Sequence, residues 1–487
     1  MRRAPTAIFS HGGARPPGGL RANLEKPARR SGSTRLIPTV IFSTLLLLGL
    51  TVPALRAETF EESGREAHDM LTRMCDDFGG RVTGSAANQG ALERLAEELR
   101  ALGLKPEQED FPMPGWKRGD DHVDLVVPFA RPLRVAALAY TQPHAAFEAD
   151  VIAIGTGAAG EYPADARGKI ALLAPGTALP AREFSRIAAE KGIRGILFIN
   201  REGGGQLLAR TGSFTGENLA LPAYSLAQEE GQWMQRLLAR GQPVRVRMAT
   251  KSHSREVQTS NLRVVFPGKS VERIIVGAHF DSWDLGQGAM DNGLGIAQLY
   301  ALARVLRDRP LARTVELHWY NGEEQGLWGS RHAAAQIGET PIVAMINLDM
   351  VGVPIAVNAL GDESLVPALE RWNAARGEAK LGKGVSAINW LASDHTPYQL
   401  AGVRTITFNA PIPRESVRYY HDFADTIDKL PERIVAESTA TVGDLLMALA
   451  DDTTLAAFRR TPEDTRKIFT TFGLEPRMRG LGMWPFE

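Results

Sequence analysis

Apolar residues change their spacing along this chain, and each change marks a different kind of structure. Met70, Leu71, Met74, Cys75 and Phe78 recur at helical spacing. So do Leu92, Leu95, Ala96, Leu99 and Leu102, which predict a helix from about Ser85 to Leu102 that Gly103 ends. Between about Leu125 and Thr250 the texture shifts to short β-rich runs punctuated by Gly and Pro: Val151–Ile154, Lys169–Leu173, Gly195–Ile199 and Val244–Met248. Amphipathic helices near Arg182–Lys191 and Gln228–Leu238 separate some of them. From Asn261 to about Leu449 strands and helices alternate: Leu262–Phe266, Arg273–Ala278, a helix over Gly293–Leu306, Thr314–Tyr320, Ile342–Asn347 and Arg404–Phe408. That alternation predicts an α/β fold, a mixed, mostly parallel sheet sandwiched by helices, interrupted by a β-rich insert. The expected divisions are 1–57, 58–124, 125–254 (the insert), 255–450 and a C-terminal extension, 451–487.

The first 57 residues stand apart. They carry nine Lys or Arg against one acid, Glu25, then an apolar stretch from Leu36 to Leu50, then Leu55-Arg56-Ala57 before Glu58. Basic, apolar and small-residue segments in that order predict a signal peptide and an exported, periplasmic or secreted, protein. Pro38 and Pro53 interrupt an apolar run that is short for a span, so no stable membrane insertion is expected after cleavage. The whole chain has 56 basic and 56 acidic residues, and without the leader 47 and 55 remain, a net charge of −8. This balance argues against nucleic acid as a partner. Cys75 is the single cysteine among 487 residues, so no intrachain disulfide forms and stability must come from core burial. Its apolar helical neighbours predict a buried structural thiol. A homodimer is compatible with all of this.

The chemistry gathers after residue 261. His279, Glu323-Glu324 and Asp349 each follow a predicted strand, and ligands of α/β sheets collect at the carboxyl ends of strands. Asp291 precedes the Gly293 helix, and His421 comes last. Imidazole and carboxylate are the ligands a pair of zinc ions needs, one carboxylate bridging. His279, Asp291, Glu324, Asp349 and His421 are the expected metal ligands. Asp281 is expected to return beneath His279 and hold its other ring nitrogen. Three carboxylates against two dications leave one positive charge for a bridging hydroxide, the expected nucleophile, and Glu323 is the expected general base and acid. His318 and His332 read as ordinary strand and helix residues. Trp283 and Tyr419-Tyr420 are candidates for a substrate pocket.

The run His279-Phe-Asp-Ser-Trp-Asp-Leu-Gly-Gln-Gly-Ala-Met-Asp291-Asn-Gly, with Asn321-Gly-Glu-Glu-Gln-Gly, Asn347-Leu-Asp-Met and Tyr420-His-Asp-Phe-Ala-Asp-Thr-Ile-Asp428, resembles the M28 family of zinc exopeptidases. Arg81-Val-Thr-Gly-Ser85 and Thr259-Ser-Asn-Leu262 match it too. Asp-Ser-Trp-Asp and Gly-Gln-Gly-Ala-Met-Asp resemble its carboxypeptidase Q branch, whereas Asn347-Leu-Asp-Met and Ser393-Asp-His395 are closer to its aminopeptidase branch. The insert resembles a protease-associated domain through Gly168-Lys-Ile-Ala-Leu172, Ala189-Glu-Lys-Gly-Ile-Arg-Gly195 and Leu221-Pro-Ala-Tyr-Ser225. The resemblance implies His279, Asp291 and Asp349 on one zinc, Asp291, Glu324 and His421 on the other, and Glu323 as base. It implies hydrolysis of the terminal bond of short peptides, by an aminopeptidase or dipeptidase, with a carboxypeptidase as the alternative. The fold also hosts single-zinc glutaminyl cyclases, and a catalytically silent receptor-like protein is a third reading. The insert is expected to carry no ligand and to shape the mouth of the cleft.

Overall fold

The computed structural model describes residues 57–176, 180–413 and 418–487, so the expected leader, 1–57, lies almost wholly outside the described residues. Thr59 opens the first helix, Phe60–Phe78: its hydroxyl accepts a hydrogen bond from the Glu62 amide while the Glu62 carboxylate accepts one from the Thr59 amide. Ser85 caps the second, Ala86–Ala101, through the amide of Asn88. Cys75 is buried in the first helix, and burial pushes its thiol up to about 11, as suits a packing residue.

An eight-stranded sheet follows, in the order Glu107–Lys117, His253–Phe266, Arg313–Tyr320, Ser270–His279, Ile342–Asn347, Thr405–Asn409, Ala356–Asn358, Val385–Ser386. The four strands from Arg313–Tyr320 to Thr405–Asn409 are mutually parallel. Ile342–Asn347, in the middle of this parallel set, is buried at every position, as a strand covered on both faces must be. Successive side chains alternate between the faces. Ile274 and Val276 join the apolar cluster beneath the helices Phe60–Phe78, Leu294–Leu306 and Glu432–Asp451, whereas Ile275 joins Ala333, Ala334 and Tyr398 on the other face.

The strand Glu107–Lys117 was not expected from the sequence. It pairs antiparallel with His253–Phe266 along its whole length, and Pro112 and Pro114 are tolerated because it lies at the sheet edge. Its partner also begins earlier than the apolar run Leu262–Phe266 suggests, because the polar stretch from His253 is half exposed.

A second eight-stranded sheet has the order Arg131–Pro132, His122–Val127, Arg245–Thr250, His144–Ile154, Ile170–Leu173, Gly195–Ile199, Ala223–Leu226, Val135–Ala137. The helices Ala181–Glu190 and Gln228–Ala239 accompany it. It has apolar clusters of its own, one built on Leu125, Tyr224 and Val246, another on Leu173, Phe184 and Phe198. After Glu432–Asp451 the chain adds Pro462–Thr471 and Glu475–Gly480, whose Phe469 and Met478 pack on Leu327 and Leu391. All the described residues form one compact unit. No helix among them is long and apolar enough to cross a membrane.

Candidate metal centre

Three neighbouring parallel strands end at one rim. Ser270–His279 delivers His279, the turn after Arg313–Tyr320 delivers Glu323 and Glu324, and Asp349 stands two residues beyond Ile342–Asn347. Asp291 comes from the kinked segment Ala289–Gly293 ahead of the Leu294–Leu306 helix. His421 comes from the loop after Thr405–Asn409, with a left-handed backbone at φ 55°.

Asp291 lies between the two imidazoles. Its Oδ1 is 3.1 Å from His279 Nε2, and its Oδ2 is 2.9 Å from His421 Nε2. Asp349 Oδ1 is 3.6 Å from the same nitrogen of His279, and Glu324 Oε2 is 3.0 Å from that of His421. Each imidazole therefore shares Asp291 and has one carboxylate of its own. The ligand atoms of His279, Asp291 and Glu324 lie within 4.8 Å of one another. Glu324 Oε1 and His421 Nδ1 are buried without a hydrogen-bond partner among the described residues. An acceptor-rich cluster with orphaned atoms, built of imidazole and carboxylate, fits zinc.

The electrostatics describe a cluster short of cations. Burial opposes charge on His421, yet Glu324 and Asp291 outweigh it and raise the imidazole to about 10. His279 is likewise raised well above its ordinary value against burial, by Glu323, Asp291 and Asp349. Burial lifts Glu324 to about 7 and Glu323 well above the carboxylate range, with the charge of Asp291 adding to the rise of Glu324 and that of Glu324 to the rise of Glu323. Asp291 moves the other way: burial resists its ionisation, but both histidines hold it well below the usual range.

Asp281 departs from its expected role. His279 Nδ1 meets the backbone carbonyl of Asp281 at 3.0 Å, while the nearest carboxylate oxygen of that residue is 3.8 Å away. The Asp281 carboxylate turns to the adjacent turn, where it accepts from the amides of Glu323 at 3.1 Å and Glu324 at 3.3 Å. It thus fixes the two glutamates rather than the imidazole. The physical reason is local: a carbonyl two residues on already satisfies the ring nitrogen, and two amides of a buried turn need an acceptor.

Several supporting residues carried no such role in the sequence reading. Arg81 is buried and donates to the carbonyls of Phe280, Gln287 and Gly288, joining the His279 loop to the Asp291 loop. Asp425 accepts from the amides of Met290 at 2.8 Å and Asp291 at 3.1 Å. Ser393 donates to Asp349 Oδ2 at 2.7 Å. Arg81, Ser393 and Asp425 all fall within motifs quoted above, but their partners are distant in sequence and no local periodicity reports them. His318 pairs with Glu316 and His332 stacks on Phe111, away from the centre. Trp283 is buried, with its ring 6.0 Å from that of His421, and Tyr420 stacks on His421 at 3.6 Å. Tyr419 instead carries Arg418 and Lys429 over its face.

Loops of the second sheet reach this centre. The Ala209 amide donates to the His421 carbonyl at 3.0 Å, and Gln206 donates to the carbonyl of Tyr420 at 3.1 Å. A cavity of about 620 Å³ has Glu323, Glu324 and His421 in its wall together with Arg210 to Phe214.

The Peptidase family M28 profile matches residues 261–446, the stretch that holds His279 through His421. Aminopeptidase YwaD of Bacillus subtilis is 27% identical over 430 residues, 83% of this chain and 90% of its own. Probable leucine aminopeptidase 2 of Trichophyton verrucosum is 27% identical over 289 residues, 58% of this chain and 57% of its own. Among solved structures, BSAP, a zinc aminopeptidase from Bacillus subtilis, aligns with a TM-score of 0.64 at 23% identity, over 79% of this chain and 93% of that one. A peptidase M28 precursor from Shewanella amazonensis aligns with a TM-score of 0.70 at 21% identity, over 83% and 97%. These structures share the fold.

Proposed function

Residues 261–446 belong to peptidase family M28, and from that premise we propose that this chain is a di-zinc aminopeptidase that removes the first residue of short peptides. It is a zinc metallopeptidase, and the aminopeptidases among its relatives favour the amino end over the carboxypeptidase alternative. The observation that carries the two-metal reading is the placement of Asp291, with one oxygen toward each imidazole. His279, Asp291 and Asp349 would hold one ion, and Asp291, Glu324 and His421 the other. Bound zinc would supply Lewis acidity, which polarises the scissile carbonyl and lowers the pKa of water.

Glu323 then handles the proton. Its amide is fixed by Asp281, it borders the cavity, and burial gives its carboxyl a strong affinity for a proton. It would accept the proton of the attacking water and deliver it to the leaving amine nitrogen. Asp291 and Asp349 are held for their task by Asp425 and Ser393. The second sheet is built from the stretch whose sequence resembles a protease-associated insert, and the cavity wall from Arg210 to Phe214 supports a role for it in restricting the cleft to short or unstructured peptides. Export follows from the leader: a secreted or periplasmic form would begin near Glu58.

Product analysis on dipeptides with free and blocked amino termini, with metal measured on the same sample, tests the proposal. Two zinc ions per chain and cleavage of only the free-amine peptides are expected. Cleavage of amino-blocked peptides with a free carboxyl end would establish the carboxypeptidase alternative, and a single zinc with cyclised glutaminyl product the cyclase.

A further inference from the structure

The cavity that borders Glu323 and Glu324 is acidic at that end and basic elsewhere. Arg182, Arg201 and Arg210 enter its wall from the second-sheet region, and Arg477 enters it from the Glu475–Gly480 helix of the C-terminal extension. Arg182 is already paired with Glu217. Arg201, Arg210 and Arg477 make no ion pair among the described residues, and the Nε of Arg210 is buried without any hydrogen-bond partner among them. The Arg210 guanidinium lies 4.5 Å from the centre of the Phe198 ring, which fixes its plane. Burial lowers its pKa to about 10, so it remains a cation at neutral pH.

Arg210 and Arg201 also border a second cavity of about 540 Å³, where Arg418 joins them. Glu202 is the one acid in that lining, and it is exposed. Tyr420 borders both cavities and stacks on His421, so the arginines and the metal centre share a wall. An unpaired, half-buried guanidinium is costly to keep unless something acidic meets it during function. In a cleft that takes peptides, the acidic group at hand is a carboxylate of the peptide.

We infer that Arg210, with Arg201 and Arg477, forms a carboxylate-binding subsite beside the metal centre, and that the protein thereby selects short peptides carrying a negative charge beyond the scissile bond. This rests on the peptidase reading above. The carboxylate has two sources, the free carboxyl terminus of a di- or tripeptide or an acidic side chain, and both present the same planar pair of oxygens to a guanidinium. The subsite gives the C-terminal extension a function, since Arg477 would act on substrate directly.

The test uses peptides in which a reduced CH2–NH link replaces the first peptide bond, so that binding is read without turnover. Two pairs are compared by calorimetry: free acid against carboxamide for neutral tripeptides, and Glu against Gln within carboxamide tripeptides. Cleavable peptides of the same sequences are assayed in parallel. At least one charged member should bind about 10- to 100-fold more tightly than its neutral partner, the range of a charge-assisted hydrogen-bonded pair. The preferred pair identifies the source, and the preference should weaken as salt is raised. Arg210→Gln should collapse it to within a few-fold. Arg201→Gln, at an exposed position, provides a second variant that does not disturb the Phe198 contact, and it should reduce the preference in part. Equal binding within both pairs would overturn the inference, as would a preference that survives in both variants. If the charged peptides bind preferentially but no cleavable peptide is hydrolysed, the subsite stands and the peptidase reading falls.

Discussion

The two sheets of this molecule are of equal size and do different work. The first places His279, Glu323, Glu324 and Asp349 at or just beyond the ends of neighbouring parallel strands, and every candidate ligand comes from its strand ends and the loops that follow them. The second contributes none, yet its loops meet the His421 segment and line the cleft with arginine. A metal cluster needs ligand atoms held to within a fraction of an ångström. Buried parallel strands, with the loops beyond them clamped by Arg81 and Asp425, supply that rigidity. Substrate recognition tolerates longer reach, and loops on a separate scaffold can provide it. The comparison teaches that chemistry and selectivity can be altered separately here.

The strongest way to break that division is a pair of buried substitutions. Asp291→Asn should abolish turnover and lower zinc to one ion or fewer per chain, because the shared carboxylate is lost. Tyr224→Phe, in the second sheet, removes a buried hydroxyl that donates to the Ala249 carbonyl at 2.8 Å. Zinc content after that change should be unaltered. Metal analysis of both proteins checks the contrast, and loss of zinc from the Tyr224 variant would refute it.

Arg81→Met sharpens the account on the first-sheet side. It strands the carbonyls of Phe280, Gln287 and Gly288 in the interior, at a cost of roughly 1–3 kcal/mol for a buried group left unsatisfied. Denaturant titration should show that loss, and zinc should dissociate faster from the same variant. For Tyr224→Phe the stability loss should be smaller, about 1 kcal/mol, the usual net worth of one hydrogen bond.

A pH series separates the two sheets in another way. His421 rises from the usual imidazole value to about 10 in the metal-free cluster, and Glu324 rises to about 7. Both groups hold protons in the folded state that the unfolded chain has already released, so stability falls as pH rises through these values. The His421 contribution is complete below about 6.5, the unperturbed imidazole value, and lost as pH passes about 10. Chelator-treated protein should therefore be more stable at pH 6 than at pH 9, and added zinc should remove much of that slope by taking the place of the protons. A metal-free protein whose stability is flat over this range would contradict the cluster's electrostatics.

Much of the first sheet was legible because its parallel strands carry buried apolar stretches such as Ile274–Val276 and Ile342–Ile346. Ile342–Asn347 has the bounds the sequence suggests, and Arg313–Tyr320 differs by one residue. The polar residues just past those strands stood out against them, and the structure brings His279, Asp291, Glu324, Asp349 and His421 together. What was hidden depends on contacts across long sequence separations. Asp281 could be assigned to His279 only by proximity in sequence, and its carboxylate's partners are the amides of Glu323 and Glu324, 42 and 43 residues on. The Glu107–Lys117 strand carries two prolines and exposed polar positions, which an edge tolerates and a local pattern reads as loop. Arg210 gave no signal at all, because a guanidinium near a phenylalanine is unremarkable until the fold sets it in the wall of the cleft.

Two adjacent glutamates are proposed for different tasks, so the decisive measurement is zinc content and rate on purified Glu323→Gln and Glu324→Gln. Glu323→Gln should retain two zinc ions and lose roughly 10²–10⁴-fold in turnover, the usual worth of general acid–base catalysis, with no recovery at any zinc concentration. Glu324→Gln should bind one ion weakly and regain activity as zinc is raised. A Glu323 variant that loses metal, or that works at near the original rate when fully loaded, would contradict the assignment of base and ligand.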